Sequence, residues 1–229
     1  MIRAVTIDIH GTLMLPTPSI GAVYAERAAT FDLHVDGDAV NTRFHAVFVS
    51  KLRSWGEPYG ANDDDAREFW HSVIAESIGI DLPDGLADDI FAHFAKPECW
   101  HLLPNAHEAL ATIRAHGCYH AIASNFDSRA LQLLEAFELG DFDDCFLSTT
   151  LGAAKPKPTM LEHACRAAGC EAHELLHIGD HPREDGGAAR ACGCAWLPVD
   201  RESGIDHQRL AAILAGDEAA PLPPPEHAG

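Results

Sequence analysis

Lysine is the residue this chain most nearly lacks. Only Lys51, Lys96, Lys155 and Lys157 occur, beside twelve arginines, and the 229 residues carry a formal net charge of −19. Nucleic acids and anionic membrane surfaces are bound through basic patches, so this balance argues against both as partners. An anionic small molecule would need a local positive site, and two of the four lysines fall in the single tetrapeptide Lys155-Pro156-Lys157-Pro158. Long apolar runs are missing too. Nothing approaches the ~20 residues of a membrane span, and the first residues carry no signal-peptide pattern, because Asp8 and His10 interrupt them. Seven cysteines, odd in number and irregularly spaced, do not make a disulfide framework. Cys192-Gly193-Cys194 and the pair Cys165 and Cys170 lack zinc-ribbon spacing and read as small buried thiols. The expectation is a cytoplasmic protein with reduced thiols. At 47% hydrophobic and 22% charged residues, the chain can build one sizeable core and a smaller appendage.

What is present begins with Ala4-Val5-Thr6-Ile7-Asp8, a β-branched, apolar strand that ends on a carboxylate, with Gly11 allowing a tight turn just after it. Helical periodicity then fills residues 19–32, 38–54, 65–78 and 84–95, far more chain than one crossover between parallel strands needs. Asn62-Asp63-Asp64-Asp65 reads as a capped helix start rather than a cation loop, since it lacks the spaced ligands of one. These helices therefore predict a small helical domain inserted after the first strand. From Trp100 the chain returns to alternating elements. Asn105 is expected to cap a helix ending at His116-Gly117. A strand at 119–123, a helix capped by Asp127, a strand at 145–148, a helix started by Pro158, a strand at 175–179, a helix at 184–192, a strand at 194–199 and a helix near 206–215 follow. The fold class is α/β: a doubly wound parallel sheet with an inserted α-helical cap. The expected division is residues 1–15 and 99–217 for the core, 16–98 for the cap, and a disordered proline-rich tail over 218–229.

Four polar positions each follow a predicted strand: Asp8, Ser124-Asn125, Lys155 and Asp180. In a parallel sheet all four converge on the edge where ligands bind. The loop carrying Lys155 must fold back to get there. Gly179-Asp180-His181-Pro182-Arg183-Glu184-Asp185 adds a second carboxylate near a helix start. Three carboxylates in one cleft raise each other's pKa unless a cation is present. Oxygen-only donors select a hard cation such as Mg²⁺. A nucleophilic carboxylate, a metal site, a hydroxyl and a lysine together form a set suited to phosphoryl transfer.

Asp8-Ile9-His10-Gly11-Thr12-Leu13 resembles the first motif of the haloacid dehalogenase superfamily. Ser124-Asn125, Lys155-Pro156 and Gly179-Asp180 with Asp185 resemble its second, third and fourth motifs, in order, over about residues 3–200. The pattern is similar to the subfamily of small phosphatases and dehalogenases with a helical cap after the first motif. The resemblance implies that Asp8 attacks phosphorus and becomes an aspartyl-phosphate. It implies that Asp8, the backbone carbonyl of His10 and Asp180 hold Mg²⁺ with Asp185 in support, and that Thr12, Ser124, Asn125 and Lys155 bind the phosphoryl group.

One position departs from that pattern. Family phosphatases carry an acid/base Asp two residues after the nucleophile, and this chain has His10. Either His10 transfers the proton, or the chemistry is metal-independent dehalogenation, or the chain is a slow, ligand-binding relative. Family dehalogenases also lack the Gly-Asp pair of the fourth motif, which is intact here, so dehalogenation is the weaker reading. The expected enzyme is a Mg²⁺-dependent hydrolase of a small phosphorylated substrate, with a halogenated substrate as the alternative, working as a monomer or homodimer. Arg27, Arg43, Lys51 and Arg53 are the cap cations that could face a substrate.

Overall fold

A computed structural model describes residues 1–54 and 59–225. Strand β1 (Ala4–Ile7) is fully buried and lies at the centre of a sheet. The chain then leaves through a short strand, β2 (Met14–Pro16), into four helices: α1 (Ile20–Ala29), α2 (Gly37–Ser54), α3 (Asp63–Ile78) and α4 (Leu86–His93). It returns through β3 (Trp100–Leu102), which pairs antiparallel with β2, Met14 opposite Leu102. The two crossings between the helical unit and the sheet thus form a two-stranded ribbon. Sequence periodicity does not show it, because three residues are too short for an alternation to register.

The remainder alternates: α5 (Ala106–Ala115), β4 (Tyr119–Ser124), α6 (Arg129–Ala136), β5 (Asp144–Leu147), α7 (Ser148–Leu151), α8 (Thr159–Ala168), β6 (Leu175–Gly179), α9 (Asp185–Cys192), β7 (Ala195–Pro198) and α10 (His207–Ala215). The sheet runs β5-β4-β1-β6-β7, with every pair parallel. Ala4 faces Tyr119 on one side and Leu175 on the other. Later strands therefore add to both edges of β1, so the order reverses there. A crevice opens at that point beyond the carboxyl ends of the strands. Both faces of the sheet are covered. Ile7, Leu110, Ile122 and Ile178 belong to one apolar cluster, and Ala4, Met160, Leu161 and Trp196 to another.

The helical unit has its own core, including Tyr24, Phe44, Phe69, Val73, Ile74 and Ile90. Its ends are satisfied locally. The Asn62 side chain accepts from the Asp65 N–H at 2.9 Å, as the capped start requires. Arg43 donates to the Ser77 and Ile78 carbonyls at 2.8 and 2.9 Å, closing the end of α3.

Three expectations need correction. Asn105 precedes α5 but makes no side-chain cap; its φ is +63° and its amide donates to the carbonyls of Ser203 and Ile205. Asp127 does accept from the Arg129 N–H, but its carboxylate mainly grips the Arg129 guanidinium, with both oxygens at 2.7 Å. The tail is docked rather than free over 218–225. Trp196 on the edge strand donates its N–H to the Pro221 carbonyl at 2.9 Å, Arg190 donates to the Pro224 carbonyl at 2.7 Å, and Ala220 packs on the core. A proline-rich segment has few donors, but its carbonyls satisfy the open N–H of an edge strand. Residues 226–229 lie outside the described residues.

Candidate active site

Asp8 takes the last rung of the central strand, its N–H donating to the Ile178 carbonyl at 2.9 Å. The backbone then turns back at once. Leu13 and Met14 both donate to the Ile9 carbonyl, and Gly11 sits at φ +83°. That conformation favours glycine, and a Cβ at Gly11 would lie 2.5 Å from an Asp180 carboxylate oxygen. Gly11→Ala is expected to cost about 1–3 kcal/mol from backbone strain alone, with Asp180 displaced as well; thermal unfolding of the variant checks it.

The loop carrying Lys155 does fold back. Its Nζ donates to Asp8 at 2.8 Å, to the Ala123 carbonyl at 2.9 Å and to Asp185 at 2.5 Å, with the lysine side chain 1% exposed. Asn125 anchors that loop. Its carbonyl oxygen accepts from the Lys155 N–H at 2.7 Å, and its amide donates to the Lys155 carbonyl and to Glu184. Asn125, expected at the phosphate, is thus committed to holding the lysine. Thr12, also expected there, is fully buried. Its hydroxyl accepts from the Asp180 N–H at 3.1 Å and lies 3.4 Å from an Asp180 oxygen, so it positions Asp180. Ser124, buried, lines the cleft beside Asp8, and its hydroxyl favours the charged carboxylate.

Asp185 is 1% exposed, and its oxygens accept from Lys155, from His177 Nε2 at 3.0 Å and from the His181 N–H at 2.8 Å. His177 is fully buried in β6, and its other ring nitrogen meets the Thr6 hydroxyl at 2.9 Å. Since Asp185 only accepts, Nε2 carries the proton and Nδ1 accepts from Thr6. Sequence reading misses His177, because a lone histidine inside an apolar strand has no partner visible along the chain. Arg201 and Glu184 were missed as well. Arg201 pairs with Asp180 at 2.6 Å, and Glu184 accepts from the Tyr59 hydroxyl at 3.1 Å. Only Glu184 had a signal, its place inside the fourth motif.

Burial dominates the electrostatics. It pushes the Asp8 carboxyl up to about 7, with Lys155 opposing the shift and Asp185 adding to it. Burial pulls the Lys155 ammonium down, but Asp185 and Asp8 more than offset it, so the lysine stays charged. His10 lines the cleft edge-on to Trp100 at 6.2 Å. The ring is exposed at the cleft edge, where the nearby Arg201 charge favours its neutral form.

Asp8, Asp180 and Asp185 bring one oxygen each within 4.8 Å of one another. An all-oxygen donor set of this kind fits a hard divalent cation. The Asp180 carboxylate packs over the bare Cα of Gly11, a cradle that a side chain would fill. The residues therefore fit such an ion: Asp8 and Asp180 would hold it, with Arg201 and Thr12 orienting the Asp180 carboxylate, and Asp185, bound to Lys155, His177 and the His181 N–H, would support it.

A haloacid dehalogenase-like hydrolase family model matches residues 2–193. The chain belongs to that family. This hydrolase is 26% identical over 213 residues to haloacid dehalogenase-like hydrolase domain-containing protein 3 of Danio rerio, covering 89% of this chain and 87% of the relative. Its fold matches the HAD-hydrolase YfnB of Bacillus subtilis, solved bound to magnesium, with TM-score 0.74, 16% identity and 93% and 99% coverage. It matches an HAD phosphatase of Thermococcus onnurineus with TM-score 0.66, 19% identity and 94% and 99% coverage. It also matches the defluorinating L-2-haloacid dehalogenase Rha0230 with TM-score 0.70, 25% identity and 90% and 84% coverage. The neighbours thus span both chemistries of the family, and the choice between them rests on this chain's own residues. No helix among the described residues is long and apolar enough to cross a membrane.

Proposed function

We propose that this hydrolase is a Mg²⁺-dependent phosphatase of small-molecule phosphate monoesters that works through an aspartyl-phosphate on Asp8. The observation that carries the reading is the carboxylate cluster: Asp180 stands in the cleft beside Asp8, and one lysine is shared between Asp8 and Asp185. Dehalogenation on carbon needs the nucleophile and a cation for it, but gives no reason for a second cleft carboxylate.

In this reading an oxygen of Asp8 attacks phosphorus as the ester P–O bond breaks, and the alcohol leaves with a proton. Water then attacks the acyl phosphate, freeing phosphate and restoring Asp8. Lys155 holds Asp8 charged and in place, and faces the phosphoryl oxygens together with Ser124. His10, on the cleft wall two residues after Asp8, carries the proton to and from oxygen. Mg²⁺, held by Asp8, Asp180 and the His10 carbonyl, would neutralise charge on the phosphoryl group. The helical unit serves as the cap. It meets the core through Tyr59 on Glu184, Asp63 on the Ser128 N–H and Thr149 hydroxyl, and Arg129 on the Phe91 carbonyl. Seven free thiols support a reducing, cytoplasmic setting.

Phosphate release from an aryl phosphate with Mg²⁺, and its loss with EDTA, is the expected result. Activity that survives EDTA, or that appears only with a 2-haloacid, would sink the reading. His10→Asp separates two roles for the histidine. A working His10 predicts that turnover falls by roughly 10²–10⁴-fold or that its pH profile moves; a rise in turnover would show that His10 is only a tolerated substitute.

A further inference from the structure

The cleft does not stop at Asp8. It continues as a cavity of about 570 Å³ between the sheet and the helical unit. That is the size of a pocket for a whole small organic molecule, several times what a phosphate alone would need. Its upper wall is aromatic. Phe44 stacks on Phe48 with centroids 5.5 Å apart and rings 11° from parallel, and Phe48 stacks on Trp70 at 5.6 Å and 14°. Phe94 and Trp100 continue the wall toward His10. Val49 also faces this space, at 47% exposure. Protein interiors close over apolar side chains when nothing needs the room. An aromatic wall left open beside a nucleophile is therefore shaped for an apolar guest.

The charges around the cavity narrow the guest further. Two arginines line it. Arg129 is bound through Nε and Nη2 to Asp127 and through Nη1 to the Phe91 carbonyl. Arg201 is paired with Asp180. The other titratable acids and bases on the described lining include the carboxylates Asp8, Asp127, Asp180 and Glu184 and the histidines His10, His45 and His181. The cap cations Arg27, Arg43, Lys51 and Arg53 do not line the cavity. Arg27 grips Asp89, Arg43 closes α3 and Lys51 pairs with Glu76. A substrate with a second anionic group would meet carboxylates with no unpaired arginine or lysine on the described lining to balance them.

We propose that the substrate is a phosphate monoester of an uncharged, bulky apolar alcohol with an aromatic body, and that this body lies against Phe48 and Trp70. The proposal rests on the phosphatase reading above and gives it a substrate class.

The test compares kcat/KM, with Mg²⁺ present, for 2-naphthylethyl phosphate, ethyl phosphate and phosphoglycolate. The first two release alcohols of similar acidity, so their ratio reports the cavity and not the leaving group. The naphthyl ester is expected to be favoured by roughly 100-fold, the scale on which an apolar pocket discriminates by size. Val49→Glu, an exposed helix position, is expected to keep the melting temperature and cut that ratio at least ~10-fold by adding a charge to the wall. A ratio near one, preference for phosphoglycolate, or a ratio unmoved by Val49→Glu overturns the substrate class while the phosphatase reading stands. Release from none of the three esters overturns both.

Discussion

Asp8→Asn is expected to abolish phosphate release, by roughly 10⁴–10⁶-fold as for other removed nucleophiles, while the protein remains folded. An amide of the same shape cannot attack phosphorus, and no other described carboxylate takes its position. Asp180 is held in place by Arg201 and Thr12, and Asp185 is engaged by Lys155, His177 and the His181 N–H. Folding should survive because Asp8 is a burdened group. Burial pushes its carboxyl up to about 7, so a neutral side chain there removes a desolvation cost, and Lys155 keeps Asp185 as a partner. Single-turnover phosphate release and a thermal melt on the same preparation check both halves. Residual turnover within tenfold of the parent would move the nucleophile elsewhere.

Lys155→Met is expected to damage stability as well as activity. The lysine head is 1% exposed and lies between two buried carboxylates, Asp8 and Asp185, at 2.8 and 2.5 Å. Methionine fills a similar volume but leaves both carboxylates without their shared cation. Removing one partner of a buried pair costs about 3–5 kcal/mol. For a chain of this size that corresponds to a melting temperature lower by about 6–20 °C. Lys155→Arg should not rescue it. A planar guanidinium does not fit a space shaped for a compact ammonium that also reaches the Ala123 carbonyl at 2.9 Å. Differential scanning calorimetry of the two variants decides it; a shift under ~2 °C for Lys155→Met would mean that the carboxylates find another cation.

Much of the frame was legible along the chain. Three of the five parallel strands end on the expected polar residues, Asp8, Ser124 and Asp180, because a buried parallel strand is a short apolar run whose stop is visible as the first polar residue. The helix starts were less secure. Asn62 caps α3 as its spacing with Asp65 suggests, but Asn105 turns away to Ser203 and Ile205, nearly a hundred residues on, and no local rule contains that contact. The same limit explains Thr12 and Asn125. Both stand in motif positions, but one hydroxyl and one amide have few bonds to make. Asp180 took the first, and the backbone around Lys155 took the second.

By itself, the sequence determined the fold class, the inserted helices and the order of the four polar positions that follow strands, because each depends on residues within one or two turns of each other. Tertiary structure alone decided what those residues do with one another. The Asp185–Lys155–Asp8 chain joins three segments far apart in sequence, and the β6–β1 pairing ties His177, which holds Asp185, to Thr6. It decided, too, that the cap cations Arg27, Arg43 and Lys51 serve a helix end and ion pairs while Phe48 and Trp70 keep an open wall. Helical periodicity shows which side of a helix is apolar. Whether that side is covered by neighbours or left facing a cavity depends on how the helices pack, and that is settled only in three dimensions.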